Sequence, residues 1–282
     1  MKTTKIKFLG NHLGWGNNWY MNANSAWENI YAGLNQSGFT VRPRGQLVKE
    51  DLGCNIYIAN PMDNLVYNEF RKLSPYYCAG EYMWYKTGDN TPESIEKHSK
   101  FWKKIANEDG TINSNYGRYI FKEKQWDMVV DILKKDPDSR QAIFQIPITE
   151  NQGTKDVPCT SSIQFFIRDN KLYCTVYMRS NDIWLGFPYD VFNFTMWQIE
   201  MAKELGVELG WYRHVVGSMH LYEKDFICNK NKGEFKATIL TEYSVSDKSS
   251  PEFKRDLMKL NNKNNDVNDE VLKFMINNYT SK

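Results

Sequence analysis

Two short stretches of the sequence carry residue types that could perform nucleophilic chemistry on an anionic ligand. The first, Asp156-Val157-Pro158-Cys159-Thr160, places a cysteine directly after a proline. Because proline fixes its own φ and has no amide hydrogen, the turn before Cys159 is stiff and could present the thiol as a nucleophile. The alternative for Cys159, as for each of the five cysteines, is a small buried thiol without a chemical role.

The second stretch runs from Arg179 to Asp190 and joins a predicted strand to a long predicted helix. The amide groups at a helix N-terminus, together with Arg179 and Ser180, can bind a phosphate. The carboxylates of Asp182 and Asp190 can accept hydrogen bonds from ligand N–H groups. A purely structural alternative has Pro188 in the first helical turn and Asp190 stabilising the helix dipole.

The elements that must position these residues mix helices and strands without regular alternation. Hydrophobic spacing predicts helices over residues 25–38, 65–86 (interrupted near Ser74-Pro75), 125–135, 188–205, 251–260 and 268–278. It predicts strands over residues 141–148, 162–167, 172–178 and 214–222. The turn Arg168-Asp169-Asn170-Lys171 predicts a hairpin between the second and third of these strands. The predicted fold class is α+β, in one domain spanning residues 1–282.

Composition excludes several classes of protein. The 282 residues carry a net charge of +2 and 15% aromatic residues, which favours a large folded core and argues against binding of polymeric nucleic acid. The apolar runs of the sequence are too short for a transmembrane helix. The N-terminus begins with basic residues, but its apolar part is too short for the core of a signal peptide. We therefore expect a cytoplasmic protein without membrane contact. The cysteines are widely spaced, so neither structural zinc nor another metal site is expected.

Taken together, the motifs resemble those of the thymidylate synthase superfamily over about residues 40–225. The resemblance is carried by Pro158-Cys159, by Arg179-Ser180-x-Asp182 followed by Leu185-Gly186-x-Pro188-Tyr189, and by His220-x-Tyr222. Upstream it is carried by Glu81-Tyr82-Met83-Trp84, Trp102, Asp109-Gly110 to Tyr116-Gly117, and Asp138-Ser139-Arg140. It implies a mixed sheet packed with helices and a homodimer formed through that sheet.

The resemblance also implies a role for individual residues. Members of the family transfer a one-carbon unit from 5,10-methylenetetrahydrofolate to C5 of a pyrimidine nucleoside monophosphate. Cys159 would add to C6 of the base, Glu81 would act as general acid and base, and Asp190 and Asp156 would complete the catalytic set. The phosphate and sugar would be bound by Arg44, Arg140, Arg179, Ser180, His220 and Tyr222. The folate would be contacted by Trp102, Tyr116, Asp182 and Gly186.

The position that faces the edge of the base distinguishes uracil from cytosine. Thymidylate synthases have an asparagine two residues after the proline of the motif, whereas this chain has Asp190. An ionised carboxylate cannot donate to O4 of uracil but can accept from the N4 amino group of cytosine. Protonation of N3 or of the carboxyl would supply a second hydrogen bond. At this position the sequence therefore resembles the deoxycytidylate hydroxymethylase branch of the family.

Three further positions favour capture of water over transfer of hydride to the new carbon. Asp156 stands where synthases usually have leucine, Thr160 replaces a histidine, and Met178 replaces a glutamine. The sequence therefore predicts a dCMP 5-hydroxymethylase. The alternatives are a dCMP or dUMP methylase, a hydroxymethylase acting on dUMP or CMP, and a nucleotide-binding protein of this fold without catalysis.

Two features depart from the family pattern. Arg140 is followed by Gln141, where the family commonly has a second arginine, so another residue is expected to help bind the phosphate. Residues 226–282 form a polar C-terminal extension to which the motifs assign no role.

Overall fold

The structure is a computed structural model that describes residues 18–230, 234–238, 240 and 244–279. The basic N-terminal stretch on which the expected location rests lies outside the described residues, as do the last three residues of the chain. Among the described helices, none is long and apolar enough to cross a membrane.

A seven-stranded mixed sheet forms the centre of the fold. Its strands are β1 (Asn18–Tyr20), β2 (Phe39–Val41), β3 (Val48–Ile58), β4 (Ile143–Gln145), β5 (Thr160–Arg168), β6 (Lys171–Asp182) and β7 (Glu208–Tyr222). They follow the order β1-β3-β7-β6-β5-β4, and β2 pairs with β3. The pairs β1–β3 and β6–β7 are parallel and the others antiparallel.

Eight α-helices accompany the sheet in the described part of the chain. They are α1 (Ala23–Gln36), α2 (Pro75–Thr87), α3 (Glu93–Glu96), α4 (Phe101–Ile105), α5 (Gln125–Lys135), α6 (Phe187–Leu205), α7 (Pro251–Asn261) and α8 (Glu270–Tyr279). The most deeply buried is α6, on which aromatic and aliphatic side chains such as Phe192, Phe194 and Trp197 are fully enclosed. The predicted α+β class is confirmed.

The hairpin between β5 and β6 is confirmed at the predicted turn. Asp169 and Asn170 both adopt positive φ, at 50° and 56°. Two consecutive residues in this region make the turn that matches the right-handed twist of paired strands, and Asp and Asn tolerate it best after glycine. The turn sets the β5–β6 register, which places Thr160 opposite Met178 and so brings Cys159 beside Arg179.

The helix predicted over residues 65–86 is wrong in its first half, because α2 begins only at Pro75. The Asn68 side chain accepts hydrogen bonds from the backbone N–H groups of Phe70 and Arg71, at 2.9 and 3.3 Å. Such local side-chain bonds compete with the helical backbone pattern. Ser74 then caps α2 by accepting from the Tyr77 N–H group at 3.2 Å.

Strand β3 is the longest element that sequence patterning does not predict. Its polar residues Glu50 and Asp51 and its Gly53 interrupt the apolar alternation that marks a strand. Pairing with β7 along most of its length holds it in the sheet, through partners such as Glu50 and His220. Tertiary pairing therefore outweighs local pattern at this strand.

The C-terminal region packs on the same core as the rest of the chain. The two helices predicted there are confirmed as α7 and α8, with Phe253 and Leu272 in the core cluster. Lys248 and Asp269 form a buried ion pair at 2.6 Å. Glu28 on α1 accepts from the Thr238 backbone N–H group at 2.8 Å. These contacts give residues 226–279, where described, a structural role.

We predict that Gly117→Ala destabilises the fold, because a Cβ at this position would meet the Tyr85 carbonyl oxygen at 1.7 Å. Helix α2 and the segment that carries Tyr116 would have to separate, which costs about 1–3 kcal/mol of unfolding free energy. Urea unfolding measures the loss. Gly117 has an ordinary φ of −60°, so backbone strain does not contribute to the loss, and an unchanged free energy of unfolding would contradict the close contact.

Candidate active site

Cys159 lies directly before β5, and Arg179 on β6 holds the loop in front of it. The backbone N–H group of Arg179 donates to the Cys159 carbonyl at 2.9 Å. The Arg179 guanidinium donates to the backbone carbonyls of Pro158 at 3.0 Å and Val157 at 2.8 Å. Burial raises the pKa of the Cys159 thiol, and the positive charges of Arg179 and Arg44 partly offset that effect. Since a guanidinium has five N–H groups, the exposed Arg179 retains donors for an anion.

Glu81 lies on α2 and is almost completely buried. Tyr77 donates to its Oε1 at 2.7 Å, and Asn193 on α6 donates to its Oε2 at 2.9 Å. Burial, with a further contribution from the negative charge of Asp190, raises the pKa of Glu81 to about 8. A carboxyl with a pKa near neutrality can both give and take a proton, as a general acid and base must.

Asp190 stands in the first turn of α6 at the end of a buried hydrogen-bond chain. Asn181 Nδ2 donates to Asp190 Oδ2 at 2.7 Å, Asn181 Oδ1 lies 3.0 Å from His214 Nε2, and His214 Nδ1 lies 2.6 Å from Tyr212 Oη. Burial lowers the pKa of His214 to about 3, so its ring is neutral and carries one N–H. Burial also raises the pKa of Asp190 to about 7, against the effect of the Asn181 hydrogen bond.

The predicted sugar-binding residues meet where β6 and β7 run side by side. Ser180 Oγ lies 3.3 Å from His220 Nδ1. The rings of His220 and Tyr222 lie edge to face, with centroids 5.2 Å apart. The strands therefore bring all three side chains together.

Asp182, predicted to bind folate, ends β6 and shapes the turn into α6. Its Oδ1 accepts from the backbone N–H groups of Trp184 at 2.8 Å and Leu185 at 3.2 Å. Burial raises the pKa of Asp182, and the nearby His220 partly offsets this. Gly186 has a clear steric role, because a Cβ there would lie 2.7 Å from Asn181 Nδ2 and 3.2 Å from Asp190 Oδ2.

Asp156 and Tyr116 both lie beside Cys159. Both Asp156 oxygens are engaged by Ser114, whose N–H and hydroxyl groups donate at 2.7 and 2.6 Å. Burial raises the pKa of the Asp156 carboxyl. Tyr116 Oη accepts from the Thr160 N–H group at 3.4 Å, while the buried Thr160 Oγ1 has no hydrogen-bond partner among the described residues.

Trp102 connects to Glu81 through one hydroxyl group. Its indole Nε1 donates to Tyr77 Oη at 2.8 Å, and the Tyr77 hydroxyl in turn donates to Glu81. The Trp102 ring is mostly buried and lies against Trp84, with centroids 5.0 Å apart. The side chain predicted to contact folate is therefore linked to the predicted acid and base.

Arg140 is not brought to this site within one chain. Its carbonyl accepts from Gln164 Nε2 at 2.9 Å, and Gln164 lies five positions along β5 from Cys159. At about 3.3 Å per strand residue this places the Arg140 backbone roughly 16 Å along the sheet from Cys159. Its side chain is exposed on the loop after α5. Arg44, also exposed, is near enough to Cys159 to affect its pKa.

Four residues of this site were missed by sequence reasoning: Tyr77, Asn181, Asn193 and His214. Asn181 stands between Ser180 and Asp182, so its place in the motif could have drawn attention to it. Asn193 follows Asp190 by three residues on one helix, a spacing that shares a face. His214 gives no sequence signal, because an isolated histidine in a strand is most simply a core residue.

Comparison with known proteins agrees with this geometry. The family described as thymidylate synthase matches residues 65–280. The chain belongs to the thymidylate synthase family. The match extends past residue 225, where the sequence motifs end, and the prediction of a one-carbon transferase of this family is confirmed.

The curated relatives include phage enzymes. The deoxycytidylate 5-hydroxymethyltransferase of Enterobacteria phage T4 is 31% identical over 214 residues, which cover 68% of this chain and 83% of that protein. The deoxyuridylate hydroxymethyltransferase of Bacillus phage SP01 is 29% identical over 209 residues, covering 68% of this chain. The match spans only 55% of the length of the SP01 protein.

A solved structure shows the same fold. Thermostable thymidylate synthase A from Bacillus subtilis superposes with a TM-score of 0.63 at 22% identity, over 77% of this chain and 86% of that one. The predicted thymidylate synthase-like fold, a mixed sheet packed with helices, is therefore confirmed.

We predict that Asp190→Asn stabilises the protein increasingly as pH rises. The raised folded-state pKa means that ionising Asp190 weakens the fold between its ordinary value of 3.8 and about 7. The variant cannot ionise, so its advantage should grow by roughly 1.4 kcal/mol per pH unit in that window and level off above it.

Urea unfolding from pH 4.5 to 8 measures this difference. Asp127→Asn, on the exposed face of α5, is the matched control and should show no such growth. A constant difference between wild type and Asp190→Asn would contradict the raised pKa of Asp190.

Proposed function

We propose that the chain is a deoxycytidylate 5-hydroxymethyltransferase, which converts dCMP and 5,10-methylenetetrahydrofolate to 5-hydroxymethyl-dCMP in the cytoplasm. The observation that carries the proposal is the half-buried carboxyl of Asp190, held by Asn181 at the position that faces the base edge in this family. The T4 relative supports it, because that protein is named for the same activity.

Cys159 supplies the nucleophile in the proposed reaction. Its sulfur adds to C6 of the cytosine ring, which makes C5 electron-rich and able to attack the one-carbon unit. Arg179, beside the thiol, favours its ionised form and offers its remaining N–H groups to the 5′-phosphate.

Glu81, with a pKa of about 8, takes up and returns protons. Ser180, together with His220 and Tyr222, would bind the sugar and phosphate.

Selection of cytosine rests on the direction of the hydrogen bonds at Asp190. Because an ionised carboxylate can only accept, Asn181 must turn its amide NH₂ group toward Oδ2, as found. The second carboxyl oxygen is then available to accept from N4 of cytosine. With uracil, the acceptor O4 would face the acceptor oxygen of Asp190, and this mismatch would cost about 1–3 kcal/mol of binding free energy.

The residues on the folate side fit a pterin. Methylenetetrahydrofolate, when bound, supplies the one-carbon unit. Asp182 Oδ1 is engaged by backbone N–H groups, which leaves its other oxygen for a pterin N–H. The partly exposed Leu185 and the Trp102 ring provide apolar surface for the ring system. Tyr116 lies near Cys159 and Asp190, and Gly186 keeps the turn narrow.

Capture of water, which gives hydroxymethyl rather than methyl, is supported by two buried polar atoms, one on Thr160 next to Cys159 and one on Asn193 beside Glu81. Thr160 Oγ1 and Asn193 Oδ1 are buried and have no partner within the described residues. Buried polar atoms of this kind are usually satisfied by ordered water. Asp156, already bonded to Ser114, would act by fixing the loop beside that water.

A homodimer would complete the phosphate site. Arg140 is exposed and remote from Cys159 in its own chain, as expected for an arginine that binds the phosphate of a second copy. The sheet carries aromatic rings suited to such contact, including the exposed Trp19 stacked on Tyr57 with centroids 4.5 Å apart. Exposed aromatic surface of this kind favours association.

A deoxyuridylate hydroxymethyltransferase is the second candidate. The SP01 relative, named for that activity, matches with similar identity. With a pKa of about 7, Asp190 can also carry a proton, and a protonated carboxyl could donate to O4 of uracil.

The decisive assay incubates the protein with methylenetetrahydrofolate and either dCMP or dUMP, and identifies the product by mass. We expect dCMP to gain a hydroxymethyl group and dUMP to react at least about tenfold more slowly, the factor for one mispaired hydrogen bond. Cys159→Ser is the control and should not release tritium from C5-labelled nucleotide. A methyl product would overturn water capture, and preference for dUMP would favour the second candidate.

We expect Asp190→Asn to shift nucleotide preference toward dUMP. The asparagine Oδ1 would accept from Asn181, and its NH₂ group would then face the base and donate to O4. The ratio of kcat/KM for dUMP over dCMP should rise about tenfold or more. Unchanged selectivity would show that another residue recognises the base edge.

A further inference from the structure

One hydrogen-bonded side chain in the site has no role in the reaction described above. Tyr77 lies on α2, one turn before Glu81, and its ring packs edge-on against Tyr189 with centroids 4.5 Å apart. Its hydroxyl stands between two groups. It accepts from Trp102 Nε1 at 2.8 Å and donates to Glu81 Oε1 at 2.7 Å.

The direction of each bond around Glu81 follows from the groups at the two ends of the chain. An indole N–H can only donate, so Trp102 must give its hydrogen to Tyr77. An ionised Glu81 can only accept, so with Glu81 in that form the Tyr77 hydroxyl must donate to Oε1. At the other end the Tyr189 carbonyl can only accept, and Asn193 Nδ2 lies 2.9 Å from it. This fixes the Asn193 amide so that Nδ2 also donates to Glu81 Oε2.

Each oxygen of the Glu81 carboxylate therefore accepts one hydrogen bond, Oε1 from Tyr77 and Oε2 from Asn193. The proton that Glu81 exchanges must occupy one of the remaining lone pairs, away from Tyr77 and Asn193. The Tyr77 hydroxyl is the only one of these contacts that also reaches the predicted folate surface, through Trp102, within the described residues.

We propose that Tyr77 is a positioning residue that holds the Glu81 carboxyl in the orientation for proton transfer and couples it to Trp102 on the folate side. The assignment rests on the proposed function only in giving Glu81 the proton-transfer role. The proposed role belongs to the Tyr77 hydroxyl. Replacing Tyr77 with phenylalanine removes that hydroxyl but keeps the ring contact with Tyr189.

The electrostatics of the site support this assignment. Hydrogen bonds from Tyr77 and Asn193 favour the ionised form of Glu81 and oppose the burial that raises its pKa. The other titratable groups that face Glu81 are Cys78 and Tyr85 on α2, and Tyr189 and Asp190 on α6. Tyr77→Phe leaves all of them in place.

The first test titrates the Glu81 carboxyl in the ligand-free protein by infrared difference spectroscopy, with Glu81→Gln to assign the band. Tyr77→Phe should raise the midpoint by about one pH unit. Trp102→Phe should raise it by less, because the Tyr77 hydroxyl becomes a poorer donor. Tyr76→Phe is the matched control: Tyr76, on the same helix, donates instead to Asn265 at 2.6 Å, and its removal should leave the midpoint unchanged.

The second test measures exchange of the C5 hydrogen of dCMP and of dUMP across pH. Tyr77→Phe should lower kcat about tenfold, change KM for the nucleotide by less than about twofold, and move the pH profile upward with the infrared midpoint.

The two tests fail separately. An unmoved infrared midpoint in Tyr77→Phe overturns the role of Tyr77, whatever the activity. A shifted midpoint without exchange of either nucleotide by the wild-type protein supports the role of Tyr77 toward Glu81 and overturns the proposed function instead.

Discussion

The hydrogen bond from Asn181 to Asp190 is the interaction on which the proposed selection of cytosine depends. It lies at the end of a chain that begins with Tyr212 and passes through a neutral His214. The neutral ring of His214 donates at one nitrogen and accepts at the other, which fixes the directions of its hydrogen bonds with Tyr212 and Asn181. Asn181 donates to Asp190, and the ionised carboxylate offers its remaining lone pairs as acceptors to a bound base.

The fold supplies the conditions for this arrangement. Strands β6 and β7 run parallel, and the side chains of Asn181 on β6 and His214 on β7 meet at 3.0 Å. The turn at Gly186 brings the start of α6 close to Asn181. Burial raises the pKa values of Asp190 and Glu81 to about 7 and about 8. The site therefore holds two carboxyls that change protonation near neutrality, and the charge of Asp190 adds to the raised pKa of Glu81.

Local chemistry made part of the geometry around Cys159 predictable from the sequence. The Pro158-Cys159 turn and the hairpin at Asp169 and Asn170 follow from a few neighbouring residues, and the register of that hairpin brings Arg179 beside the cysteine. The motifs also led to the thymidylate synthase family, which the comparison confirms.

What could not be predicted depends on contacts between distant parts of the chain. Strand β3 is held by its pairing with β7, and the Asn68 side chain prevents a helix that the hydrophobic spacing favours. The partners of Asp190 and Glu81 come from other elements. Asp190 is held by Asn181 from β6, which in turn contacts His214 on β7, and Glu81 is held by Asn193 from α6. A sequence motif identifies a candidate catalytic residue, but the hydrogen-bond partners of that residue are set by the tertiary structure.

Proton uptake on nucleotide binding tests the role of Asp190 most directly. Calorimetry of dCMP binding at pH 8.5, in two buffers of different ionisation enthalpy, measures the number of protons taken up. If Asp190 recognises cytosine, about one proton should enter the complex, because either N3 or the carboxyl must be protonated to complete the second hydrogen bond. Asp190→Asn should take up none. Tight dCMP binding without proton uptake, or equal binding of dUMP, would contradict recognition of cytosine by Asp190.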